Sequence, residues 1–298
     1  MKVAVPLIAA AAFALSVSGV ASGSEIIDRN AQGVRLSVDA SGRALVSYRA
    51  HGRAMHVLAW GAIDARQPTS GRPQVAFRKD YSGRRWTSFR NQCRTYDGPK
   101  LAFMVAACAA PDGSYWGLQS WRRTLPNFDG KPRPGLGAWE LHLSHWSGAI
   151  ATLEAWSDWV YGGRFHHLFG RLTYDGKPVY GFTANRAGSP LDGYGRNIYV
   201  DTFDSRYGKG WRRENAFLAH RPTGVFCYGF YRFSSRGPGN GAKYRLTAIG
   251  PGVTPDVSVT IPGLHDYDAN SSGDVAYEQH QNVLQDSIAG VDKKCRVH

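Results

Sequence analysis

Apolar and polar residues alternate one by one along much of this chain, and turn-forming sequences interrupt the alternation. In residues 34–38 three apolar residues alternate with polar ones, and the sequence Asp-Ala-Ser-Gly follows. This period of two residues is typical of half-buried antiparallel strands. A hairpin signal, Asp175-Gly176, separates two further alternating segments. The sequence therefore predicts an all-β, antiparallel, sandwich-like fold.

The C-terminal region has instead the pattern of a helix. Residues 272–290 contain apolar residues at helical spacing, with Ser272 or Asp274 as the N-cap and Gly290 as the C-terminal stop. The pattern predicts a single α-helix. The helical spacing places Ala276, His280, Val283, Leu284 and Ser287 near one face.

The first 23 residues have the composition of a secretory signal peptide. Lys2 is followed by an apolar run from Val3 to Val17 and then by small residues. The run is shorter than the roughly 20 residues that span a bilayer, and no later stretch approaches that length. We therefore expect a secreted, cell-surface or periplasmic protein without an integral membrane span.

A loop rich in proline and glycine divides the remaining chain. Residues 123–137 read RTLPNFDGKPRPGLG and show no apolar period. They predict an N-terminal β subdomain over residues 24–130 and a C-terminal β subdomain over residues 131–298 that includes the helix. The same loop is compatible with one continuous domain.

The chain contains four cysteines, and an even number in an exported protein indicates disulfides. Pairing of Cys93 with Cys108 would close a short loop around a turn. Pairing of Cys227 with Cys295 would join the C-terminal tail to an internal strand. We expect these two bonds among the three possible arrangements.

The formal net charge is +13 and the pI about 9.7. Such a charge favours anionic partners, which outside a cell include wall polymers and acidic polysaccharides. Basic clusters occur at residues 78–85 and 120–123, but neither is a long run of like charges. We expect a polysaccharide or an anionic cell-wall polymer as the partner, and no nucleic acid.

Four tryptophans lie between residues 137 and 170. Flat aromatic rings on a sheet can stack on sugar rings while neighbouring polar groups bind the hydroxyls. This pattern predicts a ligand-binding surface formed by Trp139, Trp156, Trp159 and Tyr161. The alternative is that the rings fill the core between two sheets.

The same stretch also contains candidate catalytic residues. If residues 147–149 form a three-residue loop, His142 lies opposite Glu154, and Glu140 lies diagonal to Glu154 on the same face. A His–Glu pair at that distance could act as an acid–base couple, and two carboxylates at such spacing suit glycoside hydrolysis. A two-residue loop would move Glu154 to the other face.

The histidines give no metal site. His166 and His167 point to opposite faces of one strand, and a structural zinc site needs three or four ligands. The Asp266 segment resembles a calcium loop but lacks the required glycine and glutamate. The sequence predicts no metal and no cofactor.

A second concentration of arginine and aromatic residues lies in the segment before residue 216. Arginines interleaved with tryptophan suit an anionic ligand. The predicted binding residues here are Arg206, Trp211, Arg212 and Arg213.

Together these patterns predict an exported, basic, non-catalytic binder of polysaccharide or anionic wall polymer. A carbohydrate-active hydrolase that uses Glu140, His142 and Glu154 is the first alternative. A structural or protein-interaction module at the cell surface is the second.

Overall fold

The computed structural model describes residues 24–66, 74–123, 138–179, 197–205, 208–217, 223–230 and 241–298. The predicted signal peptide lies outside these ranges, as do most of the glycine- and proline-rich loop and Arg206. Within them the chain forms sixteen strands in four antiparallel sheets, and one helix near the C-terminus. The predicted all-β class with a single C-terminal helix is confirmed.

The first two sheets contain every described strand up to residue 146, and together we call them the first sandwich. The first sheet comprises β1 (Glu25–Arg29), β6 (Met104–Ala109), β7 (Tyr115–Trp121) and β8 (Glu140–Trp146), in the order β1-β8-β7-β6. The second sheet comprises, in chain order, β2 (Gln32–Val38), β3 (Ala44–Ala50), β4 (Arg53–Trp60) and β5 (Arg78–Asp80). One apolar cluster joins them, in which Val46 and Val57 pack with Trp116, Leu118 and Leu143.

The other two sheets contain the strands from residue 152 onward and form the second sandwich. The third sheet comprises β9 (Thr152–Val160), β10 (Phe165–Tyr174), β11 (Lys177–Pro178) and β14 (Val225–Phe230), and β10 pairs with the other three. The fourth sheet comprises β12 (Ile198–Ser205), β13 (Gly208–Phe217), β15 (Lys243–Ala248) and β16 (Val257–Pro262), in the order β13-β12-β15-β16. A second cluster, with Leu168, Leu172 and Phe226 on one side and Leu246 and Ile261 on the other, fills the space between them.

The strands thus divide at residues 147–151, whereas the sequence predicts a division near residue 130. β8 follows the predicted boundary but pairs with β7 along its whole length and with β1. Residues on both sides of that boundary share the first sheet. The predicted division into two β subdomains stays a prediction.

The predicted pairing of β8 with β9 is wrong. β8 lies in the first sheet, and β9 pairs with β10 in the third sheet. Local sequence favours a hairpin at the SGA segment, but β8 is buried along its length and is covered on both edges by β1 and β7.

Both predicted disulfides are confirmed. Cys93 bonds to Cys108 on β6, across a separation of 15 residues. Cys227 on β14 bonds to Cys295 in the C-terminal tail, across a separation of 68 residues.

The helix α1 (Ser272–Ala289) occurs where the sequence predicts it, and Gly290 ends it with a positive φ of 53°. The N-cap is Ser271, whose hydroxyl accepts the Asp274 amide, and not Ser272 or Asp274. No helix in the described part of the chain is long and apolar enough to cross a membrane.

The face that carries Ala276, His280, Val283 and Ser287 is not the buried one, and Val283 is 67% exposed. The helix instead buries the residues Asp274, Glu278, Gln281, Asn282, Gln285 and Ala289. The sheet surface beneath α1 includes the polar Asp158 and His167, while at the C-terminal end of the helix Ile288 and Ala289 pack with Val225 and the Cys227–Cys295 pair.

Candidate functional site

Asp158 and His167 face each other on the side of the third sheet that α1 covers. They are directly opposite in the pairing of β9 with β10, and directly opposed residues share a face. Asp158 Oδ1 lies 3.0 Å from His167 Nδ1. Asp158 is fully buried and His167 nearly so. Asp158 Oδ2 has no hydrogen-bond partner among the described residues, which is rare for a buried carboxylate.

The helix presents further polar groups to this surface. Glu278 Oε1 accepts a hydrogen bond from the Gly162 amide, at 2.8 Å. The side-chain oxygens of Gln281, Asn282 and Gln285 have no partner within the described ranges. An unpaired buried polar group costs about 1–3 kcal/mol. These oxygens can therefore accept hydrogen bonds from a group bound at this surface.

A cavity of about 230 Å³ opens beside these polar groups, and we call it the His167 pocket. Its volume is below the roughly 300–1,000 Å³ of pockets for drug-sized ligands, so it suits one small group. The lining residues combine aromatic rings, hydrogen-bonding groups and cations. They are Val160, Tyr161, Phe165, His167, Cys227, Gly229, Gln285, Lys294, Arg296 and Val297.

The charge balance at the base of this site is unusual. Burial raises the pKa of Asp158, although the hydrogen bond with His167 opposes that effect, and the negative charge of Glu278 adds to the rise. The carboxyl group therefore retains its proton to a higher pH than an exposed aspartate. A carboxyl–imidazole pair of this kind can orient the histidine and exchange a proton with a ligand.

We expect Asp158→Asn to raise the free energy of unfolding by roughly 0.5–2 kcal/mol at pH 8. Asparagine keeps a hydrogen-bond acceptor for His167 and removes a poorly paired buried charge. Because the pKa of Asp158 is raised in the folded state, its ionisation destabilises the fold increasingly as the pH rises above 3.8. Denaturant titrations across a pH series would measure this.

The stability difference between Asp158→Asn and the parent should be largest above the folded pKa of Asp158 and should shrink toward pH 4. A loss of stability at pH 8 would contradict this expectation. It would mean that the ionised carboxylate is well paired.

Two of the predicted catalytic residues, Glu140 and His142, lie together on β8 but are buried. His142 Nε2 lies 3.3 Å from Glu140 Oε2, and Arg29 donates to Glu140 Oε1 at 3.1 Å. On its other side, His142 Nδ1 lies 2.8 Å from Asp256 Oδ2. His142 is completely inaccessible and Glu140 is 2% exposed. Their contacts are those of a structural network between the two halves of the molecule.

The third predicted catalytic residue, Glu154, lies elsewhere. It belongs to β9 and forms a salt bridge with Arg171, opposite it on β10. The predicted trio is therefore not assembled in this structure, because its geometry required a hairpin that does not form.

The tryptophans predicted to bind a ligand fall into three environments. Trp139 is 54% exposed, beside β1. Trp156 is half-buried and stacks on Phe169, with ring centroids 5.5 Å apart. Trp159 is 2% exposed and donates from its indole nitrogen to the His265 carbonyl. The prediction of a surface role for Trp159 is therefore wrong, and the alternative of a core role holds for it.

Tyr161 follows β9 and lines the His167 pocket. It is the only one of the predicted binding residues found among the lining residues of that pocket. Its position at the turn between β9 and β10 leaves it 66% exposed.

The predicted arginine site on β13 is divided between the two faces of the fourth sheet. Arg213 Nε donates to Asp201 Oδ1 at 2.6 Å, and Arg245 Nη2 donates to Asp201 Oδ2 at 2.9 Å. The Arg245 guanidinium also lies 4.3 Å from the Trp211 ring centroid. Arg212, the next residue along the strand from Arg213, points to the opposite face and is exposed. Within the described residues, Arg213 is thus engaged internally.

Four residues of the site are not predicted by the sequence: Asp158, Gln285, Lys294 and Arg296. One signal was present, since the residues two positions away from Asp158 and from His167, on the same strand face, are all apolar. The position of the C-terminal tail with Lys294 and Arg296 could not be predicted, because it is set by the disulfide and by the packing of α1.

No group of three or more potential metal ligands occurs in the described part of the chain. Comparison with known proteins gives no assignment: no family model, no curated protein and no solved structure matches this chain.

Proposed function

We propose that this chain is an exported, non-catalytic binding protein for an anionic polysaccharide or cell-wall polymer, and that the His167 pocket holds one acidic sugar unit. The observation that carries the proposal is the lining of that pocket. It combines an exposed aromatic ring, buried hydrogen-bonding groups and two cations.

The arrangement matches the chemistry of an acidic sugar. Tyr161 offers an aromatic surface against which the apolar face of a pyranose ring can pack. His167 and Gln285 offer hydrogen bonds to hydroxyl groups. Lys294 and Arg296 are exposed on the tail and form no salt bridge with an acidic residue of the described ranges, so they can pair with a carboxylate or phosphate.

Two other properties support an extracellular role. Both disulfides belong to the described part of the chain, and disulfides persist in oxidising compartments. The predicted signal peptide points the same way, and the net charge of +13 favours an anionic polymer as the partner. Export and the identity of the polymer remain parts of the proposal.

The test is binding of purified protein to polygalacturonate, a carboxylate polymer, and to neutral dextran. We expect Lys294→Ala/Arg296→Ala to weaken polygalacturonate binding at least tenfold, and Tyr161→Ala to weaken it severalfold. The matched control is Arg49→Ala/Arg53→Ala, which removes two exposed arginines of the first sandwich. If the control and the pocket variants lose the same affinity for polygalacturonate, the interaction is a nonspecific attraction between charges.

A second candidate function is hydrolysis of the same polymer. The specific observation in its favour is the imidazole–carboxyl pair of His167 and Asp158 at the pocket, which could act as a general base. This pair replaces the predicted trio of Glu140, His142 and Glu154. If the protein releases new reducing ends from polygalacturonate, His167→Gln should abolish the release and leave binding nearly intact. Absence of both binding and turnover would favour a structural or protein-interaction module.

A further inference from the structure

A second concave surface lies on the first sandwich, whereas α1 and the His167 pocket belong to the second. It is a groove of about 310 Å³ between the β2–β3 turn and the segment before Cys93. We call it the Arg85 groove. Its walls carry Ser41 and Arg43 on one side, and Arg85, Ser88, Arg90 and Gln92 on the other.

Hydrogen bonds hold both walls of the Arg85 groove. Asp39 Oδ1 accepts from the amides of Ser41 and Arg43 at 3.0 and 3.1 Å. The Gln92 amide donates to the Val38 carbonyl at 2.7 Å. The neighbouring Cys93 is fixed by its disulfide to β6. The groove is therefore formed before any ligand binds, which reduces the cost of binding.

The arginines of the groove are not equivalent. Arg43 donates from Nε to Asp39 Oδ2 at 2.8 Å and is largely neutralised. Burial would raise the pKa of Asp39, but hydrogen bonds from Arg43 and Ser41 hold it below its ordinary value, so this carboxylate stays charged. Arg85 and Arg90 are exposed and form no salt bridge with any described residue. The groove therefore presents two guanidinium groups that can pair with a ligand.

An exposed aromatic ring directly follows Arg85 in the chain. Trp86, the neighbour of Arg85 in sequence, is 51% exposed. Its ring stacks on His56 with a centroid distance of 4.5 Å and an interplanar angle of 4°. His56 is itself fixed, since its Nδ1 lies 2.9 Å from Ser47 Oγ. One face of the Trp86 indole is thus covered by His56, while much of the side chain faces solvent.

We propose that the Arg85 groove and Trp86 form a second binding site, for a linear polysaccharide that carries carboxylate or phosphate groups. The planar guanidinium groups of Arg85 and Arg90 match the two oxygens of such an anion. Ser41, Ser88 and Gln92 supply hydrogen bonds for sugar hydroxyls, and the indole of Trp86 packs against a sugar ring. This site does not depend on the His167 pocket being a ligand site.

Single-stranded nucleic acid offers the same charges and also stacks on aromatic rings. The groove favours a polysaccharide because its lining offers the hydroxyls of Ser41 and Ser88 and the amide of Gln92, while its one aromatic lining residue, Phe89, is partly buried. A nucleic-acid platform typically provides successive aromatic rings for successive bases. A DNA oligonucleotide is therefore the competitor in the test.

The experiment measures the affinity of the full chain for polygalacturonate, neutral dextran and single-stranded DNA over a series of salt concentrations. We expect Arg85→Ala/Arg90→Ala to weaken polygalacturonate binding at least tenfold. The slope of log affinity against log salt should fall by about one unit for each guanidinium group that is removed. Trp86→Ala should weaken binding severalfold with little change in slope, because the indole interaction is not ionic.

The control is again Arg49→Ala/Arg53→Ala, and thermal unfolding verifies that each variant is folded. An affinity for polygalacturonate in Arg85→Ala/Arg90→Ala equal to that of the control would overturn the proposal. Tighter binding of DNA than of polygalacturonate, abolished in the same variant, would overturn the ligand class. The pocket variant Lys294→Ala/Arg296→Ala distinguishes the two sites. If this variant binds polygalacturonate normally and the groove variant does not, the groove is the binding site and the proposal for the pocket is wrong.

Discussion

Replacement of Asp256 with alanine is expected to lower the free energy of unfolding by about 3–5 kcal/mol, the typical cost of breaking a buried charge network by removing one partner. Asp256 lies just before β16 and is 1% exposed. Its Oδ1 accepts from Ser24 Oγ at 2.6 Å and from the Gly250 amide at 3.0 Å. Its Oδ2 accepts from the Trp121 indole nitrogen and lies beside His142 Nδ1, each at 2.8 Å.

The cost is large because the donors would remain buried after the carboxylate is gone. Ser24, Trp121 and His142 belong to the first sandwich, whereas Asp256 belongs to the loop that leads into the last strand of the second. The backbone of Asp256 also pairs with the Gln119 side chain in both directions, at 2.8 and 2.9 Å. We call these contacts the Asp256 network. Its removal would leave buried donors unpaired at the junction of the two halves.

The measurement is equilibrium unfolding in urea, with Glu154→Ala as the control. Glu154 also loses a carboxylate, but its salt bridge with Arg171 is partly exposed, and such pairs contribute only about 0–1 kcal/mol. A decrease below about 1 kcal/mol for Asp256→Ala would contradict the assignment of this network as the main polar junction.

The same substitution has a pH signature. Burial would raise the pKa of Asp256, but hydrogen bonding to His142 and the positive charge of Arg123 hold it below the ordinary value of 3.8. A lowered folded pKa contributes stability above pH 3.8, and this stability disappears as the pH falls through the folded value. The difference between Asp256→Ala and the parent should therefore be full at neutral pH and should narrow in acid.

Loss of the Cys227–Cys295 disulfide is the second change with a large expected effect. On the chain-entropy model a bond that closes a loop of 68 residues contributes about 4 kcal/mol. We expect Cys227→Ala/Cys295→Ala to lose stability of that order, measured by urea unfolding under oxidising conditions. Cys93→Ala/Cys108→Ala, which opens a loop of 15 residues, should lose about 3 kcal/mol.

Cys227→Ala/Cys295→Ala should also disrupt the His167 pocket, because the Cys227–Cys295 disulfide positions the tail that carries Lys294 and Arg296. Hydrogen bonds between the tail and α1 would remain: Gln285 donates to the Cys295 carbonyl, the Val297 amide donates to Asp286 Oδ1 at 2.6 Å, and the His298 amide donates to Asp286 Oδ2 at 3.2 Å. We therefore expect polygalacturonate binding at the pocket to fall at least fivefold in Cys227→Ala/Cys295→Ala while the variant remains folded. Unchanged binding would mean that the helix contacts alone hold the tail.

Only part of the candidate site can be predicted from the sequence. Alternation in β9 and β10 places Asp158 on the face of Trp156 and places His166 and His167 on opposite faces, as the structure has them. Their juxtaposition also requires the pairing of β9 with β10 in one register. No local pattern indicated that α1 would cover this face with Gln281 and Gln285, because buried glutamine and asparagine give no periodic signal of burial.

Local chemistry alone predicted the strand class and the C-terminal helix, and it favoured the cysteine pairing that the structure has. Alternation, turn residues and helix stops act over a few residues, and an even number of cysteines at suitable turns leaves few arrangements. Only the tertiary structure decided that β8 pairs with β1 and β7 instead of β9, since strand pairing depends on which buried faces meet and not on nearness in sequence. For the same reason His142 meets Asp256, 114 residues away, and not Glu154. α1 buries a mostly polar face because long-range contacts fix the sheet and the tail around it, and its last turn adds Ile288 and Ala289 to an apolar cluster with Val225 and the disulfide.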